Sequence, residues 1–215
     1  MLAGMLSVLL VVGFVGLGVW IATDEPAAAP VETPIASAPA APDETPIATP
    51  GAVEELPAVK IKSLTAAAKA AGCTLSSPPD EGVAHEPKHF TIDDYRSNPP
   101  TSGTHFPEWY QDGVYAAGTT PELGKLVHAL EHGRIELQYR PGTSPETVSR
   151  FEKLVDELDS GYHMLLFQND TQMPFAVAAT AWGQLLGCPE MNDKVFDALR
   201  AFRNRYVDKG PEVVP

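Results

Sequence analysis

Residues 24–58 restrict where this chain can build a hydrophobic core. The segment consists mainly of Pro, Ala, Thr and acidic residues and shows no apolar periodicity. A sequence of that composition cannot bury enough apolar surface to offset the entropy that is lost on ordering. We therefore predict a disordered linker over 24–58, which its prolines keep extended, and one folded domain over 59–215.

The segment before the linker is apolar throughout. Residues 1–22 contain no charged side chain, and 2–22 is long enough to cross a bilayer as a helix. A signal peptide would carry a basic residue near its start, whereas the first Lys or Arg of this chain is Lys60. We predict a single-pass transmembrane anchor over 1–23, with a cleaved signal peptide as the alternative. The predicted location is the cell membrane, with the domain in the periplasm or outside the cell.

Charge and cysteine content narrow the class of protein further. The formal net charge is −13 and no basic stripe is present, which argues against nucleic acid as a partner. In an exported chain the two cysteines, Cys73 and Cys188, most simply form one disulfide. A pair of thiolate metal ligands is the alternative, but neither cysteine lies in a C-x-x-C cluster.

The patterns within 59–215 predict an α+β domain, with a small, mostly antiparallel sheet and helices packed on it. Caps and apolar faces predict helices at 63–71, 121–132, 144–158 and 193–207. Alternation predicts strands at 89–92, 134–139, 163–167 and 175–181. The stretch between the first strand and the second helix is predicted to be a long, ordered loop, because it is rich in aromatic residues.

The second predicted helix ends in the sequence His128-Ala-Leu-Glu131-His132-Gly133. Residues four apart lie on one face of a helix, one turn from each other. The imidazoles of His128 and His132 can therefore bind the same metal ion. The pattern matches the H-x-x-E-H motif of inverted zincins.

Two ligands are too few for a metal site. The nearest additional candidates are His105 in the long loop and His89 just before that loop. Met173 is a candidate soft ligand, which would favour Cu(I), although core packing is the alternative for a methionine. His85 and His163 are interpreted as ordinary loop and strand residues. The predicted cofactor is one transition-metal ion, copper or zinc.

Three hypotheses for function remain open. In the first, the domain binds copper or zinc, and Glu131 orients a ligand histidine without binding the ion. In the second, the domain is a zinc-dependent hydrolase with Glu131 as the base, although Gly133 ends the helix too early for that motif. In the third, the domain holds no metal and binds a partner through the aromatic side chains of the long loop, Trp109, Tyr110 and Tyr115.

Several separated motifs resemble one bacterial family. They are Asn98-Pro-Pro-Thr-Ser-Gly-Thr-His105, Gly113-Val-Tyr115, Val127-His-Ala-Leu-Glu-His-Gly133, Tyr139-Arg-Pro141, Ala181-Trp-Gly183 and Gly210-Pro-Glu212. In this order, over about 73–212, they resemble the bacterial domain-of-unknown-function family 3105. The resemblance implies an exported or membrane-anchored protein with its site at His105, His128 and His132, and it implies no reaction.

Overall fold

The computed structural model of the chain describes residues 55–119, 121–212 and 214. The predicted anchor over 1–23 and nearly all of the predicted linker lie outside these residues. Within the described ranges, no helix is both long enough and apolar enough to cross a membrane.

The described part of the chain forms helices on both faces of one sheet. The helices are α1 (Leu64–Ala71), α2 (Leu123–Glu131), α3 (Pro145–Glu157) and α4 (Lys194–Tyr206). The strands are β1 (Thr74–Ser76), β2 (Gly113–Val114), β3 (Ile135–Tyr139), β4 (Met164–Gln168), β5 (Val177–Ala181) and β6 (Gln184–Cys188). Their order across the sheet is β1-β6-β5-β3-β4-β2.

All four predicted helices are confirmed, with ends within two residues of those expected. α1 ends where Gly72 adopts a left-handed conformation, and α3 begins where the Ser144 side chain accepts a hydrogen bond from the Thr147 N–H. α2 begins two residues later than predicted. The cause is Glu122, whose carboxylate accepts hydrogen bonds from two backbone N–H groups of the first turn and so caps the helix.

The strand predictions are correct in part. The strands at 134–139, 163–167 and 175–181 are confirmed, but the one at 89–92 is wrong. There the Asp94 carboxylate accepts a hydrogen bond from the Thr91 N–H and starts a short 3-10 turn. β1, β2 and β6 were not predicted, because two or three residues carry no alternation and β6 contains a glycine in its interior.

The sheet is mixed, and most of its described strand pairs are antiparallel, as expected. β1–β6, β6–β5 and β5–β3 pair antiparallel, whereas β3–β4 and β4–β2 pair parallel. A parallel pair needs a crossover of a dozen or more residues, and α3 supplies it between β3 and β4.

Successive residues of the central strands face two different layers. Ile135 and Leu137 of β3 pack into the main core, which the apolar residues of α1, α3 and α4 complete. On the opposite face, Leu165 and Phe167 of β4 pack against α2 through Leu126. The main core therefore stabilises one side of the sheet, while the other side positions α2 and the long loop beside it.

The predicted disulfide between Cys73 and Cys188 is confirmed. It joins Cys73, which directly precedes β1, to the last residue of β6 across a sequence separation of 115 residues. Because both sulfurs are used in this bond, the alternative of two thiolate metal ligands does not hold.

Replacing both cysteines by alanine should lower the free energy of unfolding by about 4–5 kcal/mol, because the unfolded chain regains the entropy of a long closed loop. Chemical unfolding of the parent and of the Cys73→Ala, Cys188→Ala variant measures the difference. A loss below about 1 kcal/mol would show that the bond hardly restricts the unfolded chain.

A buried carboxyl lies on the sheet face that α2 covers. Glu136 accepts hydrogen bonds from the Gln138 Nε2 at 2.9 Å and from the Thr180 hydroxyl at 3.0 Å. Among the described residues, its other oxygen has no partner. Burial raises the pKa of Glu136 to about 8, so the folded protein holds a proton there at neutral pH.

The pKa of Glu136 predicts a pH dependence of stability. The unfolded carboxyl releases its proton near pH 4.5, whereas the folded one keeps it up to about pH 8. The contribution of Glu136 to the free energy of unfolding is thus greatest below pH 4.5. It falls by about 1.4 kcal/mol per pH unit as the pH rises toward 8. Glu136→Gln should therefore gain stability relative to the parent as the pH rises. Unfolding curves of the parent and of Glu136→Gln at about pH 5 and about pH 8 measure this effect. The same difference in free energy of unfolding between the two proteins at both pH values would contradict the prediction.

Candidate metal centre

The end of α2 supplies three of the polar side chains that converge at the candidate site. His128 and Glu131 lie on its last turn, and His132 is the residue at which the helix ends. The chain turns away at Gly133, which has a φ of +79°. A Cβ at Gly133 would lie only 2.8 Å from the Cα of Asp208, so a side chain there would both strain the backbone and displace a neighbouring segment.

The long loop supplies His105, which is completely buried. Its ring Nδ1 is 2.7 Å from the Gly103 carbonyl oxygen. Its backbone forms an isolated parallel bridge with His85, in which the His105 N–H donates to the Ala84 carbonyl at 2.9 Å. This bridge places the His85 ring beside the His105 ring, with centroids 4.4 Å apart.

The loop that carries His105 is tied to the sheet on two sides. The Asn98 Nδ2 donates to the Thr171 carbonyl at 2.8 Å, beside the hydrogen-bonded network of the buried Gln138 and Asn169. The N–H of Gly183, in the turn between β5 and β6, donates to the Thr101 carbonyl at 2.8 Å. The position of His105 is therefore fixed by contacts between its loop and residues that are distant in the sequence.

Six side chains meet where this loop, α2 and the segment after α4 come together. We call them the donor cluster: His85, His105, His128, Glu131, His132 and Glu212. They divide into two groups that share His128 and Glu131, and within each group all ligand atoms lie within 4.8 Å of one another.

The distances in the donor cluster match those between the ligands of one metal ion. The His105 Nε2 is 3.0 Å from the Glu131 Oε2 and 3.1 Å from the His85 Nε2. The Glu131 Oε2 is also 3.5 Å from the His85 Nε2 and 3.8 Å from the His128 Nε2. Tetrahedral ligands that bind an ion at 2.0–2.1 Å lie about 3.3 Å from one another. These ligand atoms are therefore close enough to one another to bind one ion.

The hydrogen bonds of the buried rings show which ring nitrogens carry a proton and which keep a lone pair that can bind a metal ion. The Nδ1 of His105 lies 2.7 Å from the Gly103 carbonyl and the Nδ1 of His128 lies 2.7 Å from the Phe106 carbonyl. A carbonyl only accepts, so each Nδ1 carries the proton, and in the neutral ring each Nε2 keeps its lone pair. The His105 lone pair faces the Glu131 carboxylate, and only a proton or a cation between them makes that contact attractive.

Burial disfavours the charged forms of these groups in the absence of a cation. It lowers the pKa of His105 and of His128, and it lowers the pKa of His132 to about 4. It also raises the pKa of Glu131. The three histidines are thus neutral at pH 7, which is the form that binds a metal ion.

The segment after α4 closes the donor cluster on its outer side. The Glu212 N–H donates to the Glu131 carbonyl at 3.1 Å, and the Glu212 Oε2 lies 3.4 Å from the His132 Nε2. The His132 ring stands edge-on to Trp109, with centroids 4.5 Å apart. Within the described ranges, the His132 Nδ1 is buried without a hydrogen-bond partner.

The structure brings together four of the predicted site residues and leaves two apart. His105, His128, Glu131 and His132 all belong to the donor cluster. The His89 side chain is 80% exposed and lies beside Glu122, with its Nδ1 3.9 Å from that carboxylate. Met173 packs in an apolar group with Phe175, Ala178 and Leu185, as the core alternative for a methionine expects.

Two members of the donor cluster were not among the predicted ligands. His85 was interpreted as an ordinary loop residue, and its role depends on the bridge to His105, which no local pattern signals. Glu212 belongs to the Gly210-Pro-Glu212 motif, which is part of the family resemblance. That motif was the one available signal for Glu212.

The aromatic side chains of the long loop do not form an exposed surface patch. Trp109, Tyr110 and Tyr115 are partly buried and pack against Leu126 of α2 and its neighbours. Trp109 also contacts the rings of His128 and His132. Trp109 therefore lies against the donor cluster, whereas Tyr110 and Tyr115 belong to the apolar group beside α2.

Comparison with protein families identifies the family of this chain. The family model described as "Protein of unknown function (DUF3105)" matches residues 85–214. That range begins at His85 and contains all six residues of the donor cluster. No curated protein and no solved structure matches the chain.

Proposed function

This chain belongs to the DUF3105 family, and we propose that its domain binds a divalent transition-metal ion, Zn²⁺ or Cu²⁺. The proposed ligands are His85, His105, His128 and Glu131. The proposal rests on the convergence of their lone pairs at ligand-to-ligand distances, with the opposite nitrogens of two rings fixed by backbone carbonyls. We also propose that the domain works outside the cytoplasmic membrane, tethered through the apolar segment 1–23; the disulfide supports an oxidising compartment.

The set of ligands selects the class of metal. Imidazole nitrogens with one carboxylate suit Zn²⁺ and Cu²⁺, whereas Ca²⁺ and Mg²⁺ prefer oxygen ligands throughout. A site for Cu(I) would use sulfur, but both cysteines form the disulfide and Met173 packs in an apolar group.

The proposed site is open to solvent on one side. The His85 side chain is 38% exposed, whereas those of His105, His128 and Glu131 are buried, so the ion has a path to solvent past His85.

The structure favours Glu131 as a ligand. A carboxylate that orients a ligand histidine accepts a hydrogen bond from the ring nitrogen that does not bind the metal. In this protein the carbonyls of Gly103 and Phe106 occupy that position, on the Nδ1 atoms. Glu131 instead faces the Nε2 atoms, which are the atoms free to bind the ion.

The same geometry makes hydrolysis the weaker candidate. A general base must hold a water beside the ion, and its oxygen is then not a ligand itself. The Glu131 Oε2, 3.0 Å from the His105 Nε2, lies where a ligand of the same ion would lie. The metal-free alternative is also weaker, since the aromatic residues that it needs are packed against α2.

The full-length chain, purified in detergent without a histidine tag, should bind Zn²⁺ or Cu²⁺ in at least equimolar amount. His105→Ala should weaken binding by at least about 100-fold, because it removes a buried ligand whose loss exceeds that of an orienting group. Mass spectrometry of bound metal and competition with a chelator measure both effects. His89→Ala is the matched control, because that histidine is exposed and outside the donor cluster. No binding after reconstitution, or equal affinity in His105→Ala, would contradict the proposal.

Glu131→Gln separates binding from hydrolysis. If Glu131 is a ligand, the neutral amide should weaken metal binding by at least about tenfold. Circular dichroism and thermal unfolding of the metal-free variant show whether its fold is intact. Unchanged metal affinity, together with loss of a hydrolytic activity seen in the parent, would favour the hydrolase instead.

A further inference from the structure

One ion cannot bind all six ligand atoms of the donor cluster, because they form two groups and do not all lie within 4.8 Å of one another. His85 and His105 belong only to the first group of potential ligands, whereas His132 and Glu212 belong only to the second. Ligands at 2.0–2.1 Å from one ion lie at most about 4.2 Å apart, when they are on opposite sides of it. A single ion in the first group therefore leaves His132 and Glu212 outside its coordination shell.

The two residues that the groups share differ in what they can bind. An imidazole nitrogen has one lone pair, so the His128 Nε2 binds one ion only. A carboxylate has two oxygens with several lone pairs and can bridge two ions. Glu131 belongs to both groups, so its carboxylate is the one that can link the two sites.

Backbone contacts on both sides of Gly210 hold the Glu212 carboxylate against the end of α2. The Asp208 N–H donates to the Gly133 carbonyl at 2.9 Å, and the Glu212 N–H donates to the Glu131 carbonyl at 3.1 Å. Between them, a Cβ at Gly210 would lie only 2.0 Å from the Glu131 carbonyl oxygen. Only a glycine allows this approach, which brings the Glu212 Oε2 to 3.4 Å from the His132 Nε2.

We propose that Glu131, His132 and Glu212 form a second site for a divalent transition-metal ion, so that the loaded centre is dinuclear and Glu131 bridges the two ions. This inference rests on the function proposed above, because the first ion provides the other half of the bridge. The second ion lies on the solvent side, since the Glu212 side chain is 54% exposed. Two ions linked in this way lie about 3.5–4 Å apart.

Metal stoichiometry tests the second site. The full-length chain, stripped of metal and saturated with Zn²⁺, should retain two equivalents after desalting, whereas Glu212→Gln should retain one. Glu212 is half exposed, so its replacement does not disturb the core. Glu190→Gln, which changes an exposed glutamate outside the donor cluster, is the matched control and should retain two. Gly210→Ala, which displaces the segment that carries Glu212, should also retain one.

The outcomes separate the two proposals. One equivalent in both the parent and Glu212→Gln would overturn the second site and leave the proposed function intact. No bound ion in the parent would overturn both. Two equivalents in Glu212→Gln would overturn the role of Glu212. Electron paramagnetic resonance of the Cu²⁺-loaded chain gives an independent reading: two bridged ions couple magnetically in the parent, whereas Glu212→Gln should show the signal of an isolated ion.

Discussion

The candidate site depends on two short hydrogen bonds from buried imidazoles to backbone carbonyls. The Nδ1 atoms of His105 and His128 are held at 2.7 Å by the carbonyls of Gly103 and Phe106. Each bond fixes the tautomer and the orientation of its ring, and it directs the Nε2 lone pair toward Glu131. The result is a buried group of lone pairs that lies against a carboxylate, and burial lowers the pKa of each of these histidines. A metal ion bound as proposed would satisfy the two lone pairs and the Glu131 carboxylate together.

The elements that carry the donor cluster are stabilised by contacts that do not involve it. These contacts hold the buried lone pairs and the carboxylate close together. The main core on the opposite face of the sheet and the Cys73–Cys188 disulfide contain none of the donor cluster. α2 is held by apolar contacts between Leu126 and the residues of β4. Glu131 and His132 lie where α2 ends, and Gly133 and Gly210 let the segment after α4 approach there without side-chain obstruction. The stability of the domain and the arrangement of its ligands are thus provided by different parts of the structure.

The sequence predicted the parts that depend on local patterns. The spacing of His128 and His132, the four helices, three strands and the disulfide could all be derived from short motifs or from composition. The parts that depend on contacts between distant segments could not. His85 reaches the site through a bridge to His105, twenty positions later, and Glu212 reaches it through a close approach to the end of α2. The sequence placed His89 near the site because of its position in the chain, but its side chain faces solvent. The parallel pairing of β3 with β4 likewise follows from how α3 crosses the sheet and not from either strand alone.

X-ray absorption spectroscopy at the metal edge of the Zn²⁺-loaded or Cu²⁺-loaded full-length chain is the most direct test of the central claim. For the chain loaded with one equivalent of metal, the claim predicts a first shell of nitrogen and oxygen at about 2.0–2.1 Å, with multiple-scattering features from about three imidazoles. These features should weaken in His105→Ala and remain unchanged in His89→Ala. A shell that contains sulfur, or one made of water oxygens with no imidazole scattering, would show that the ion binds elsewhere and would contradict the claim.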